Sequence, residues 1–265
     1  MLIVFGALDP LTRQGQWLAF FSVIGVVTTL VGVVAALWLR DAAEPRATGS
    51  YLSTLMAGLR PSSVRANPGL YVTLAAWAVL GTSTQVFLPY LIIYVQRYLR
   101  IEGYPIVLAS VLLGAALLSV LGGRVLDRIG AERAIVPVAA WYGIGLVAMF
   151  FARGMLPVIG AGIVMMSGFM LGAAALSATV RNFTPPHRAG EVQGLRMIAM
   201  VLIPMVLGPF IGALVIRGAD ETYVDLGVTR QVPTPWIFIA AAVVVAFIVI
   251  PAAFVRRHRL VKETV

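Results

Sequence analysis

Seven stretches of this chain run for about twenty residues with almost no charge: 17 to 39, 69 to 96, 104 to 122, 134 to 152, 155 to 178, 195 to 216 and 235 to 255. The hydrocarbon core of a bilayer is about 30 Å thick, and a helix needs roughly 20 apolar residues to cross it. Backbone polar groups find no water there, so each run must close its own hydrogen bonds as a helix. All eleven acidic residues fall outside these runs or at their rims. The pattern predicts an all-α membrane protein with seven transmembrane helices.

Composition narrows the classes further. The chain is 60% hydrophobic and 12% charged, with a mean hydropathy of +0.94, outside the range of soluble domains. A net charge of +9 would fit nucleic acid, but nineteen of the twenty basic residues are arginines scattered among apolar stretches. No basic stripe interleaved with aromatics exists, so nucleic acid is not expected as a partner. The absence of cysteine removes disulfides, thiolate metal sites and a cysteine nucleophile. His187 and His258 stand among arginines outside the apolar runs, and neither they nor the methionines point to a metal or a cofactor.

Arginine placement predicts orientation. Fourteen basic residues, from Arg40 through Arg124, Arg128, Arg133, Arg181, Arg188 and Arg196 to Lys262, fall on one side, and six, Arg13, Arg97, Arg100, Arg153, Arg217 and Arg230, on the other. The positive-inside rule puts the richer side in the cytoplasm, with the N-terminus outside and the C-terminus inside a cell membrane. The expected organisation is an extracytoplasmic stub (1–16), a first helix (17–39), a central cytoplasmic loop (40–68), a six-helix domain (69–256) and a cytoplasmic tail (257–265). The loop carries "RDAAEPRATGS" and "GLRPSSVRANPG", a solvated and partly helical composition. The opening "MLIVFGAL" is too short to span and lacks the basic start of a signal peptide. One helix, a long loop and six helices read as the end of one six-helix unit followed by a complete second one.

Between the third and fourth runs stands the charged segment "GGRVLDRIGAER", residues 122–133. Gly122 and Gly123 remove side-chain bulk where the helix emerges and permit a close neighbour. Asp127 lies four residues after Gly123, on the same helical face. An acid near a helix C-terminus is opposed by the macrodipole, so Asp127 needs an outside partner, a helix N-terminus or an arginine. Gly130 can take a positive φ and end the helix, and Arg133 starts the next span. A plain solvated turn obeying the charge asymmetry would look the same.

The set Gly123, Asp127, Arg128, Gly130 and Arg133 resembles the signature hairpin GxxxDRxG of the major facilitator superfamily, found between its second and third helices and repeated between the eighth and ninth. The usual basic pair after the last glycine is replaced by Ala131 and Glu132, with Arg133 one step later. If the first run corresponds to helix six of such a permease, the long loop corresponds to its central cytoplasmic loop. The hairpin then falls between helices eight and nine. A second stretch, "RNFTPPHRAGEVQGLRM" and its continuation to 216, resembles the connection of helices ten and eleven in sugar:cation symporter-like members. An acid commonly stands there where this chain has Asn182, whose amide keeps a hydrogen-bonding side chain without the charge of the relatives' salt bridge. The candidate residues of that connection are Arg181, Asn182, Arg188, Glu191 and Arg196. Thr184 is expected to cap a short helix begun by Pro185. Gly190 with Gly194, and Gly208 with Gly212, suit close helix contact, and Pro204 and Pro209 predict bends rather than breaks.

The resemblance implies a secondary-active transporter of a small polar solute such as a sugar or glycoside, coupled to H+ or Na+, working by alternating access. Two six-helix halves would rock about a site near mid-membrane, with the 122–133 hairpin as half of a conformational latch. In "GTSTQVFLPYLIIY" the substrate-lining candidates are Ser83, Thr84, Gln85, Phe87, Tyr90 and Tyr94. Ser83, Phe87, Tyr90 and Tyr94 are expected on one face, with Thr84 and Gln85 roughly opposite. Interhelical hydrogen bonding of Thr84 and Gln85, and interface anchoring by Tyr94, Gln96 and Tyr98, explain the same residues. No Asp, Glu, Lys or His sits deep in a span, so a coupling cation would bind in the first half. The expected partners are a small-molecule solute, the lipid bilayer, and either the missing first half or a second copy. The chain alone is expected to be inactive.

Seven spans also fit a seven-helix receptor, the alternative reading. Retinal binding needs a lysine in the last span, and the one lysine is Lys262 in the tail. An enzyme would need His, Asp or Glu clustered at one interface, and the sequence offers dispersed Arg–acid pairs, so no enzymatic function is expected.

Overall fold

The computed structural model describes residues 17–38, 58, 60–184, 189–219, 221–225 and 227–254. Two compact units divide the chain at residues 49 and 50. The first contributes helix α1 (Trp17–Trp38), whose segment Phe21–Trp38 is apolar enough to cross a membrane. Thr28 and Thr29 are accommodated there because each hydroxyl donates to a carbonyl four residues back, on Ile24 and Gly25, at 2.8 Å.

The second unit holds six further helices of membrane-crossing length and composition, making seven in all among the described residues. A short helix α2 (Pro61–Ala66) leads into α3 (Pro68–Phe87). Asn67 sets this entry: its side chain accepts from the Leu70 N–H at 3.4 Å, and its Nδ2 donates to the Phe183 carbonyl at 2.8 Å. The cap thus also ties the start of α3 to the end of another helix. Beyond Phe87 the span continues through a 3-10 turn at Leu88–Tyr90, where Pro89 sits, and a π turn at Tyr94–Tyr98. Its whole length is Pro68–Tyr98.

Helices α4 (Tyr104–Ile129) and α5 (Ala131–Phe151) are separated by Gly130 alone. Its φ of 88° and ψ of 138° lie in a region open to glycine, which lets one residue reverse two membrane-length helices. Helix α6 (Met155–Phe183) packs on α5 and α4. Gly145 and Gly168 make the α5–α6 crossing tight: a methyl group at Gly145 would stand 2.4 Å from the Met165 Cα, and one at Gly168 would stand 2.7 Å from the Tyr142 Cα. Small residues that let backbones touch supply the dispersion contact that drives helix association in lipid.

The next span comprises α7 (Ala189–Met197), a π turn at Ile198–Leu202 and α8 (Ile203–Ile216). Pro209 lies inside α8 without breaking it, and Pro204 stands in its first turn, just past the wider π turn. Helix α9 (Trp236–Ala246) begins the last span, Trp236–Phe254. Helix α3 is central, with α6, α8 and α9 against it, and α9 also meets α5. Between α8 and α9 lies an antiparallel ribbon, β1 (Thr222–Asp225) and β2 (Val228–Gln231), which the apolar runs do not reveal. Its turn has Gly227 at a φ of 80°.

Candidate functional site

Three groups of residues were candidates, and the structure separates them. Along the span Pro68–Tyr98, Ser83, Thr84, Phe87 and Tyr94 are buried in the bundle, whereas Gln85 and Tyr90 keep partial exposure. Ser83 Oγ donates to the Ala241 carbonyl of α9 at 2.7 Å and lies 3.3 Å from the Tyr142 hydroxyl of α5. Thr84 Oγ1 donates to the Leu80 carbonyl at 3.1 Å and also lies 3.1 Å from Tyr142. With both small hydroxyls donating to carbonyls, the single Tyr142 proton is left for them, and Thr84 is the nearer acceptor. Ser83 and Thr84 therefore meet on one phenol, which corrects the expectation that they serve opposite faces. Neighbouring positions are 100° apart on a helix, so a large side chain arriving between them reaches both.

Phe87 packs on Phe238 with ring centres 5.5 Å apart, and Tyr94 stands between Tyr98 at 5.2 Å and Phe238 at 5.1 Å. The Tyr94 hydroxyl is buried with no hydrogen-bond partner among the described residues. Tyr90 donates to the Pro209 carbonyl at 3.0 Å. The backbone and Cβ of Gln85 are covered by Gly208, where a methyl would stand 2.3 Å from the Gln85 Cβ, and Gly212 receives the Tyr90 ring and the Val86 carbonyl in the same way. The expected close contact of Gly208 and Gly212 is thus with α3. Gly190 instead faces open space, and Gly194 is buried.

At the 122–133 segment, α4 stays helical to Ile129, so Asp127 and Arg128 occupy its last turn. Gly122 meets Leu171 of α6, where a methyl would stand 2.7 Å from a Leu171 methyl. Gly123 has nothing against it, and Asp127, Arg128 and Arg133 are exposed. Among the described residues Asp127 has no ion pair. The face shared by Gly123 and Asp127 is open.

The third group divides. Arg188 lies outside the described residues, as does the short helix expected from Pro185, and of Glu191 only its place in α7 is described. Arg181 and Asn182 are exposed at the end of α6. The Thr184 hydroxyl donates back to the Val180 carbonyl at 2.6 Å, at the end of α6, and the residues it was expected to cap lie outside the described ones. Arg196 is half-buried on α7, its guanidinium carbon 4.7 Å over the Trp77 ring and its Nη2 donating to Ser177 Oγ at 2.9 Å. Sequence reasoning placed Arg196 in a loop group and named neither Trp77 nor Ser177. Its position at the start of an apolar run was the available signal.

A family model described as Major Facilitator Superfamily matches residues 100–264, more than half of the chain. No curated protein and no solved structure gives a match. Seven apolar helices and this match agree on one conclusion: the chain belongs to the Major Facilitator Superfamily, a family of membrane transporters.

Proposed function

We propose that the six spans built from helices α3 to α9 form one lobe of a secondary-active carrier that moves a small polar solute, a sugar or glycoside, by alternating access. The observation that carries this reading is the family match over residues 100–264. The 122–133 segment acts as half of the latch between lobes, and its open face is where a neighbouring lobe would supply the partner that Asp127 lacks among the described residues. A second lobe, or a second copy of this chain, supplies the opposite wall of the solute site and any H+ or Na+ site. Gln85 on α3 and Tyr90 in the 3-10 turn beyond it, both partly exposed, are the candidates on this lobe that a solute could reach without repacking. The basic end faces the cytoplasm of a cell membrane.

Reconstitution tests the reading. Proteoliposomes holding this polypeptide alone should take up no labelled sugar, and those holding it beside a complementary lobe should show uptake that rises with an imposed proton or sodium gradient. Uptake by the chain alone would overturn the two-lobe requirement, and uptake of other solutes in place of sugars would overturn the substrate class.

A further inference from the structure

At the crossing of α6 and α7 lies a cavity of about 410 Å³. That volume exceeds a bare ion and falls within the range of small-ligand pockets, roughly 300–1,000 Å³. Among the described residues its polar lining is Ser177, Arg181, Thr184, Gln193 and Arg196, with small apolar side chains beside them and no acid.

Arg196 is the fixed part of this lining. Trp77 holds its guanidinium from one side through the ring face, and Ser177 accepts one of its N–H groups. Its Nε is buried with no hydrogen-bond partner among the described residues. A guanidinium carries five donors, and withdrawing it from water without acceptors is costly. The ring face attracts the charge but does not satisfy the in-plane N–H groups. Ser177, accepting from Arg196, keeps its own proton for an acceptor in the cavity, while the proton of Thr184 is already used on Val180. Arg181, exposed at the rim, adds a second positive charge. The cavity therefore presents two guanidinium groups and an amide to whatever enters, which is the donor set of a carboxylate or phosphate site.

We propose that this cavity binds the anionic group, carboxylate or phosphate, of a small solute or of a lipid headgroup, with Arg196 as the positioned donor and Arg181 as the second clamp. The inference goes beyond the carrier reading, because binding here requires no movement of lobes.

The test uses the full chain labelled with 5-fluorotryptophan in phosphatidylcholine nanodiscs, the Trp77 resonance being identified with Trp77→Phe. Titrated inorganic phosphate should shift the Trp77 line saturably. Arg196→Gln should weaken the apparent affinity about ten-fold or more, as loss of a charged hydrogen-bond donor does. Arg181→Gln should weaken it a few-fold, as expected for an exposed charge. Arg124→Gln, at an exposed arginine that is not among the lining residues, should leave it unchanged. If the line moves instead only when phosphatidylglycerol is added to the disc, and Arg196→Gln removes that difference, a lipid headgroup is the occupant and the site stands. A Trp77 line unmoved by both phosphate and phosphatidylglycerol overturns the proposal, as does wild-type affinity in Arg196→Gln. Should that variant not fold, Arg196→Lys, which keeps the charge and loses the planar fork, replaces it, and unchanged affinity there and in Arg181→Gln overturns the site equally.

Discussion

The Tyr142 hydroxyl stands 3.1 Å from Thr84 Oγ1 and 3.3 Å from Ser83 Oγ, so one phenol of α5 meets two hydroxyls of α3, and Ser83 passes the connection on to the Ala241 carbonyl of α9. Three helices are joined by groups that satisfy one another without charge. In lipid, where apolar surface gives no solvent-driven preference for one packing, such a node helps to select the arrangement of the helices.

Tyr142→Phe should cost little. Ser83 and Thr84 keep their carbonyl acceptors, so the loss is the bond donated by the phenol, about 0.5–1.5 kcal/mol. Tyr142→Ala removes a fully buried ring and should cost about 3–5 kcal/mol through the void it leaves. Thermal unfolding in detergent measures both, and equal losses would show that the hydroxyl, not the ring, holds the node.

Tyr94→Phe separates packing from solute contact. The Tyr94 ring is enclosed by Tyr98 and Phe238, and its hydroxyl has no partner among the described residues. Deleting an unpaired buried hydroxyl should leave stability unchanged or raise it by about 1 kcal/mol. If transport by the assembled carrier falls while stability holds, Tyr94 meets solute in another conformation; if transport also holds, its role is packing.

The number of the spans was legible because lipid leaves an apolar run no option but a helix, whereas α4 and α6 run on past their apolar runs, to Ile129 and Phe183. Gly130 was legible for a related reason: a reversal between two such helices needs a residue that tolerates positive φ. The ribbon at 222–231 was not, since Thr222-Tyr223-Val224-Asp225 and Val228-Thr229-Arg230-Gln231 lack an oily alternating face. The contacts of Arg196 with Trp77 and Ser177 depend on how three helices are packed, which no local pattern encodes. Thr184 donates back to Val180, a bond that a threonine at the end of a helix can make whether or not its oxygen also accepts from the residues ahead.

Two glycines that each stand four residues before another glycine should respond differently to alanine. At Gly208 the added methyl meets the Gln85 Cβ at 2.3 Å and its backbone carbon at 2.8 Å, so α3 and α8 must separate. The expected loss is about 1–3 kcal/mol. At Gly190 nothing stands within 4 Å, and alanine should stabilise α7 by up to about 1 kcal/mol. A parallel unfolding series reads the contrast, and a tolerated Gly208→Ala would mean the α3–α8 contact is looser than its geometry.

Asp127→Asn should leave folding within about 0.5 kcal/mol of the parent, since the side chain is exposed and has no ion pair among the described residues. In the assembled carrier the same change should slow solute uptake while equilibrium solute binding persists, because a latch between lobes sets the rate of their movement and does not touch the solute. Unchanged uptake would leave the segment as a charged turn.

The absence of cysteine makes orientation directly measurable. Single substitutions Arg128→Cys and Arg217→Cys sit at exposed positions, one at the end of α4 and one just past α8. The charge asymmetry predicts that a membrane-impermeant maleimide applied to intact cells labels Cys at 217 and reaches 128 only after the membrane is opened. Both positions lie outside the buried bundle, so protection of one of them reports the bilayer and not packing. Labelling of 128 from outside would invert the chain, and with it the latch, because a hairpin on the outer face could not clasp the cytoplasmic helix ends that the carrier reading assigns to it.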